Sequence, residues 1–438
     1  MRKSIKKIVS ILLVVVMFTA VISMFGCGKN DPAKVEKVTL RYATHYSTTD
    51  PMFAVRNAVI EKFKKDNPNV TIEDENMAAT QYHDKLKTEI ASDTLPDIFT
   101  NWGGSEVYEA VKAKKLMELT EVLDKDTAFK GIFLDGQFKS ANLAFKDIEG
   151  LYGMPFNNIT AGFYYNKDLF DKAGVQIPKT WDELINVVKK LKDTGTIPWA
   201  IGGKDGWRVQ HLQTALAYKM YGTKLGQDLA ERKVKYVDTT VDSFKRIETL
   251  RDLGAFGPNP ASVDFSLEQN MFMTGKAAMN FSLNVYTSLF ESDTSEIKGK
   301  VGFFPMPYFS EKPEFKDSVY GGGSVVYSLN SKLTGATKEA AIKLLKAFCG
   351  MDGQKEFLKA NAIIPVVKIT DKIDVQPLQQ QFVDQLANAK EFAGDLTERD
   401  TLPTMLNKLR NVSVGLLNKQ LTAEQAAQEM DKEIELNK

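Results

Sequence analysis

The chain has 438 residues, of which 43% are hydrophobic, 10% aromatic and 26% charged. That length exceeds a usual single domain, so two cores are expected. A formal charge of +1 excludes the polybasic field that a nucleic-acid binder needs.

The N-terminus reads as a leader rather than as part of the fold. A basic start with Arg2, Lys3, Lys6 and Lys7 precedes an apolar run over 8–21. Ser23-Met24-Phe25-Gly26-Cys27 then resembles a bacterial lipobox. The run is too short, and too directly followed by Gly26-Cys27-Gly28, for a transmembrane span. Residues 1–26 are therefore expected to be a lipoprotein signal peptide, Cys27 the lipidated residue and 27–37 a tether. Two acyl chains suffice for stable anchoring. This places the chain on the outer face of the cell membrane, on the periplasmic side where an outer membrane exists. Taking the four leader charges from +1 leaves −3. With Cys27 lipidated, Cys349 is left without a disulfide partner, and its place on an inward helix stripe marks it as a buried hydrophobe.

In chain order, Val38-Thr39-Leu40-Arg41-Tyr42 alternates as a first strand, and His45-Tyr46-Ser47-Thr48 follows as a polar loop. Met52, Val55, Val59, Ile60 and Phe63 recur at helical spacing, and Asn67-Pro68 ends that helix. Val70-Thr71-Ile72 is a second strand, 81–91 a helix, and Asp97-Ile98-Phe99 a third strand. This order predicts a parallel sheet with covering helices. Ligands bind such sheets beyond the carboxyl ends of the strands. Those ends are His45-Tyr46, a loop over 76–81, and Asn101-Trp102.

The stretch 151–184 is the most informative. Tyr152-Gly153-Met154-Pro155 is a turn and an extended dipeptide, because Pro155 pushes Met154 out of the helical region. Residues 161–165 read as a buried strand. Asn166 can cap a helix that stops at Gly174, and Thr180-Trp181-Asp182-Glu183 reads as a capping box. Leu184, Ile185, Val188 and Leu191 continue that second helix. Further on, 197–201 is strand-like, and a 202–206 loop delivers Trp207 to a helix running through Met220. Strands follow at 275–281, 301–306 and 319–329, the last with Gly321-Gly322-Gly323. The C-terminal part is helical, with Met405, Leu409, Val412 and Leu416 on one face and a capping pair Thr422 and Gln425.

Tyr152-Gly153-x-Pro155, Tyr165-Asn166-Lys167, Phe170, Ala173-Gly174 and Pro178-x-Thr180-Trp181-x-Glu183-Leu184 together resemble the signature of the family 1 extracellular solute-binding proteins, the maltose-binding-protein-like receptors of ABC transporters. Pro96-Asp97-Ile98, Gly275-Lys276-Ala277-Ala278-Met279 and Ile363-Ile364-Pro365 add to it. The resemblance implies an α/β, two-lobed periplasmic-binding-protein-like (class II) fold. Each lobe would be a mostly parallel sheet flanked by helices, with the ligand in the interlobe cleft. It further implies an N-terminal lobe over 38–157 plus 324–372 and a C-terminal lobe over 158–323 plus 373–438. The implied partners are a small-molecule sugar and ABC permease subunits, with the receptor itself a monomer.

No catalytic constellation stands out. The three histidines are scattered, and neither HExxH, GxSxG nor GxxxxGK[ST] occurs. Neither an enzyme nor a cofactor is expected. Tyr164-Tyr165 matches the adjacent tyrosines of ferric-binding relatives, but alternation sends the two to opposite faces, so no metal is expected.

A sugar offers apolar C–H faces and directional hydroxyls, so its site needs ring platforms with fixed donors and acceptors. Trp102 and Trp207 lie in polar loops at strand ends and are the candidate platforms. Trp181 and Trp199 are read as core. Tyr46, Gln81, Asp97, Asn157, Asn280 and Asn284 are polar candidates, Tyr286 stands where relatives carry a platform tryptophan, and Gly322 is a hinge or a close approach to ligand. Glu391, Phe392 and Asp395 are weaker candidates. Few arginines or lysines are expected at the cleft, which disfavours an anionic ligand. The expected function is capture of an oligosaccharide for an ABC importer. Alternatives are a polyol phosphate, polyamine or metal on the same fold, or a glycan-acting surface enzyme.

Overall fold

The computed structural model describes residues 36–48, 50–139, 143, 145 and 147–437. The expected leader, Cys27 and most of the expected tether lie outside the described residues. Strands β1 (Val38–Thr44), β2 (Val70–Asn76) and β3 (Ile98–Asn101) alternate with helices Met52–Asp66 and Ala79–Ser92. β1 pairs in parallel with β2, from Val38↔Val70 to Thr44↔Asn76, and in parallel with β3. The connecting helices bring each strand back in the same direction.

The expectation of mostly parallel sheets needs correction, because both sheets are mixed. The first runs β2-β1-β3-β10-β4, where β4 is Met154–Pro155 and β10 is Val326–Leu329. β10 is antiparallel to both of its neighbours. The second sheet is built on β5 (Asn158–Asn166), which is antiparallel to β7 (Ala277–Leu283), β8 (Val301–Phe304) and β9 (Ser318–Gly323). Parallel pairs remain where a helical crossover joins strands, as between β6 (Ile197–Ala200) and β7, and where β11 (Glu391–Ala393) meets β9. β5 enters from the other sheet, so its direction is set by the crossing and not by a βαβ unit.

The chain passes between the sheets after β4 and returns after β9. The two links are tied together. Asn157 accepts from the Val325 amide at 2.9 Å through its side chain and from the Ser324 amide at 3.1 Å through its carbonyl.

Local signals set the signature region. The Asn166 side chain accepts from the Leu169 amide at 3.3 Å, and the helix Lys167–Ala173 ends on Gly174 at φ 61°. Thr180 and Glu183 form the reciprocal box that opens Trp181–Asp193. Hydrogen bonds from the Lys179 and Thr180 amides hold the Glu183 carboxyl below its usual range. Removing one cap typically costs ~1 kcal/mol. Thr180→Ala should therefore lower the unfolding free energy by ~1 kcal/mol, read as a lower urea midpoint with the denaturation slope unchanged.

One core lies on each sheet. Tyr327 stacks on Phe348 at 4.9 Å in the first, and Cys349 is buried beside it. In the second, Phe163 stacks on Phe304 at 4.8 Å and meets Trp199 edge-on at 4.5 Å. Trp181 and Trp199 are both core. Tyr164 is buried and donates to the Leu283 carbonyl at 2.9 Å, which takes it out of reach of a ligand. Helices Met405–Leu417 and Ala423–Leu436 pack their apolar faces into the second core. Helices Met351–Lys359 and Pro377–Ala387 and strand β11 were not foreseen in the sequence.

Candidate ligand cleft between the two sheets

The carboxyl ends of β1 and β3 carry an aromatic wall. Trp102 follows β3 and is half-buried. His83 stacks on it at 4.0 Å, and His45 lies 4.4 Å away. Tyr46 meets His45 at 4.0 Å, and Tyr82 reaches Trp102 edge-on at 6.2 Å. Glu106 fixes the arrangement by accepting from the Trp102 amide at 2.9 Å and from the His83 ring.

The second sheet supplies the facing wall. Trp207 opens the helix Trp207–Tyr221, so His211, one turn later, shares its face at 5.2 Å. Phe265 packs on Trp207 at 4.9 Å and on Tyr286 at 5.1 Å. Tyr320 of β9 meets His211 at 5.3 Å and donates to Asp395 at 2.7 Å. Beneath the rings, Arg208 and Glu268 form a fully buried pair at 2.8 Å. The guanidinium lies 4.9 Å from the Trp207 ring centre. Glu268 also accepts from the Gly202 amide at 2.7 Å and from Asn280 at 2.8 Å.

The two walls meet. A Cβ placed on Gly104 would lie 2.5 Å from the Glu398 carbonyl oxygen. Val285 packs against both cores. The charge of Asp50, at the end of the first wall, acts on Tyr46 beside it and on Tyr286 opposite.

Several buried polar atoms at the walls have no partner among the described residues: Tyr46 Oη, Arg208 Nη1, His211 Nδ1, Asn284 Nδ2 and Arg410 Nε. Buried polar groups are otherwise almost always satisfied. Burial pushes the His211 imidazole down to about 3, against the opposing pull of Asp395, so the ring is neutral near pH 7. Burial also pushes the Asp50 carboxyl up to about 7. A carboxyl raised from 3.8 to about 7 binds more protons folded than unfolded, so its contribution to stability is full below about 4 and is lost as pH rises toward 7. Asp50→Asn should remove that component, and Tm measured from pH 4 to pH 8 should fall less steeply in the variant.

Among the sequence candidates, Tyr46, Trp102, Trp207 and Tyr286 come together on the two walls. Others do not join them. The helix begins at Ala79, so the expected 76–81 loop is shorter, and Gln81 points outward, exposed, from the first turn. Asp97 sits at the amino end of β3, opposite Trp102, and accepts from the Arg41 amide at 2.8 Å. Asn157 ties the crossing links, and Asn280 lies beneath Arg208. Asn284 uses its oxygen on the Thr160 amide at 3.0 Å and keeps only its nitrogen free. Gly322, at φ 119°, lies under Phe392, whose ring would be 3.1 Å from an added Cβ. Two arginines lie at the cleft, Arg208 within the field of Glu268 and Arg410 within that of Asp395.

Sequence reasoning placed His45 at a strand end beside the cleft but missed His83, His211, Phe265, Tyr320 and Arg208. Of those missed, only His211 carried a local signal, its four-residue spacing from Trp207. No group of three or more His, Cys, Asp or Glu that could hold a metal occurs among the described residues.

The family model of the bacterial extracellular solute-binding proteins matches residues 46–355. A solved chitin oligosaccharide binding protein superposes with TM-score 0.83 at 29% identity, covering 92% of this chain and 99% of that one. A multiple sugar-binding protein of Streptococcus mutans is 27% identical over 202 residues, 45% of this chain and 44% of its own. An ABC transporter extracellular-binding protein of Pyrococcus horikoshii is 24% identical over 324 residues, 70% of this chain and 72% of its own. A match over most of the length, on a two-sheet fold with facing aromatic walls, makes this chain a member of the bacterial extracellular solute-binding proteins, the substrate-binding components of ABC transporters and not enzymes.

Proposed function

We propose that the protein captures a carbohydrate, an oligosaccharide, between its two lobes and delivers it to the permease of an ABC importer. The observation that carries this reading is the pairing of aromatic walls with buried, partnerless donors. Rings suit the C–H faces of a sugar, and the free Tyr46, Arg208, His211 and Asn284 atoms suit its hydroxyls. Each neutral hydrogen bond adds only ~1 kcal/mol net, so a micromolar complex at ~8 kcal/mol needs several of them with the rings. The sugar ligands named for the chitin oligosaccharide binding protein and the S. mutans protein support the class.

On this reading, 38–157 plus 324–372 form the N-terminal lobe and 158–323 plus 373–438 the C-terminal lobe. Closure follows from higher affinity for the closed state. The chain works as a monomer held to the outer face of the cell membrane through lipid on Cys27.

The test is a thermal-shift screen of residues 29–438 against mono- and oligosaccharides, amino acids, polyamines and metals. Saturation at about 100 times Kd stabilises by ~2.7 kcal/mol. A carbohydrate hit that weakens about 30-fold in Trp207→Ala, ~2 kcal/mol, is the expected result. Shifts from polyamines or metals alone would overturn it.

A further inference from the structure

We infer that the sugar taken by this cleft carries a free amine, making the preferred ligand a cationic amino-sugar oligomer; this rests on the carbohydrate reading above. The cleft holds more carboxyl groups than cations to pair with them. Asp395 and Glu398 lie together on the second wall, with the Glu398 carboxylate packed over Gly394. Asp50 stands at the first wall, next to Tyr46.

Among the described residues, neither Asp50 nor Glu398 has a lysine or arginine within 4 Å, and Asp395 has only the neutral His211, at 3.9 Å. Of the cations, Arg208 is consumed by Glu268, and Arg410 alone is left to face Asp395. Glu106 is already held by His83 and the Trp102 amide. Arg399 acts on Glu398 from farther than 4 Å, so three carboxyl groups meet two arginines, neither of them in direct contact.

Two further atoms point to a missing ligand. The Tyr46 hydroxyl, on a residue 2% exposed, has no partner beside Asp50. The His211 Nδ1, on a residue 9% exposed, has none beside Asp395. Taking carboxylates out of water without a cation is costly. A neutral sugar brings hydroxyls but no charge. An ammonium brings both donors and charge, and the faces of Trp207 and Tyr320 favour a cation. Burial, with Asp395 alongside, holds the Glu398 carboxyl well above its usual range, and an ammonium placed beside it would favour its charged form.

The experiment is calorimetric titration of residues 29–438 with glucosamine oligomers, with their N-acetylated counterparts of equal length, with neutral xylo-oligosaccharides and with spermidine. The expected result is that glucosamine oligomers bind at least about tenfold tighter than the N-acetylated series. That ratio should collapse in Glu398→Gln and, from the opposite wall, in Asp50→Asn, so failure of one variant to fold leaves the other to decide. N-acetylated or neutral oligomers binding as tightly would overturn this inference and leave the carbohydrate reading standing. Spermidine binding without any sugar, or binding by no probe at all, would overturn both.

Discussion

Gly104→Val is expected to weaken ligand binding by at least about a hundredfold while the unliganded protein still folds. Gly104 sits at φ 52°, where a β-branched residue is strained. More important is what it touches. Its Cα faces the Glu398 backbone, and a Cβ would come within 2.5 Å of that carbonyl oxygen and 3.3 Å of Cγ. This contact joins the sides of the two sheets, so on the closure reading proposed above it belongs to the closed state. A bulkier residue therefore penalises the closed state selectively, and a penalty of ~2.7 kcal/mol is a hundredfold in Kd. Titration calorimetry on the oligosaccharide hit, with unliganded Tm as the folding control, decides the matter. Unchanged affinity would mean that the bound state does not bring Gly104 against Glu398. Gly104→Ala provides the milder step in the same direction.

Glu268→Ala should cost ~3–5 kcal/mol of folding stability, because it leaves the Arg208 charge buried and uncompensated. Both residues are at most 2% exposed. Glu268 takes hydrogen bonds from Arg208, the Gly202 amide and Asn280 at 2.7–3.1 Å. Losing it strips three elements of a common acceptor. Arg208 keeps the Phe281 carbonyl and Ser282, at 3.2 Å, but neither carries charge. Urea unfolding of the variant reads the loss directly. Replacing both members with apolar residues, Arg208→Met with Glu268→Leu, should recover much of it, since a buried pair often contributes little beyond what packing would. A loss below about 1 kcal/mol in Glu268→Ala would show that the pair is not structural.

What was legible in the sequence was local. The Asn166 cap, the Gly174 stop, the Thr180–Glu183 box and the β1–β3 alternation each rest on neighbours within a few residues, so tertiary context had little to change. Trp102 and Trp207 were legible because a polar loop after a strand leaves a large ring no local core to enter. The rest depended on distant partners. Nothing near Arg208 announces Glu268, 60 residues later. The asparagines 157, 280 and 284 look like ligand donors, yet each has an oxygen or nitrogen committed to the protein itself. Gln81 failed by a smaller margin. A helix that starts at Ala79 instead of Gln81 turns its side chain away from the cleft. The mixed sheets were hidden for the same reason as the ion pair, because strand direction at β5 and β10 is decided by segments far apart in the chain.

The insertion of β10 between β3 and β4 constrains the order in which the molecule can be made. β3 ends at Asn101, and its second neighbour, β10, spans Val326–Leu329. More than half of the polypeptide must be synthesised before that edge is covered. Until then, β3 offers unpaired amide and carbonyl groups to any passing strand. The second lobe also waits, since β9 ends at Gly323, just before β10, and β11 and the two C-terminal helices of its core come later still. Non-local pairing of this kind slows folding and prolongs exposure of the growing chain. The double passage of the chain between the sheets thus makes the assembly of the two interdependent.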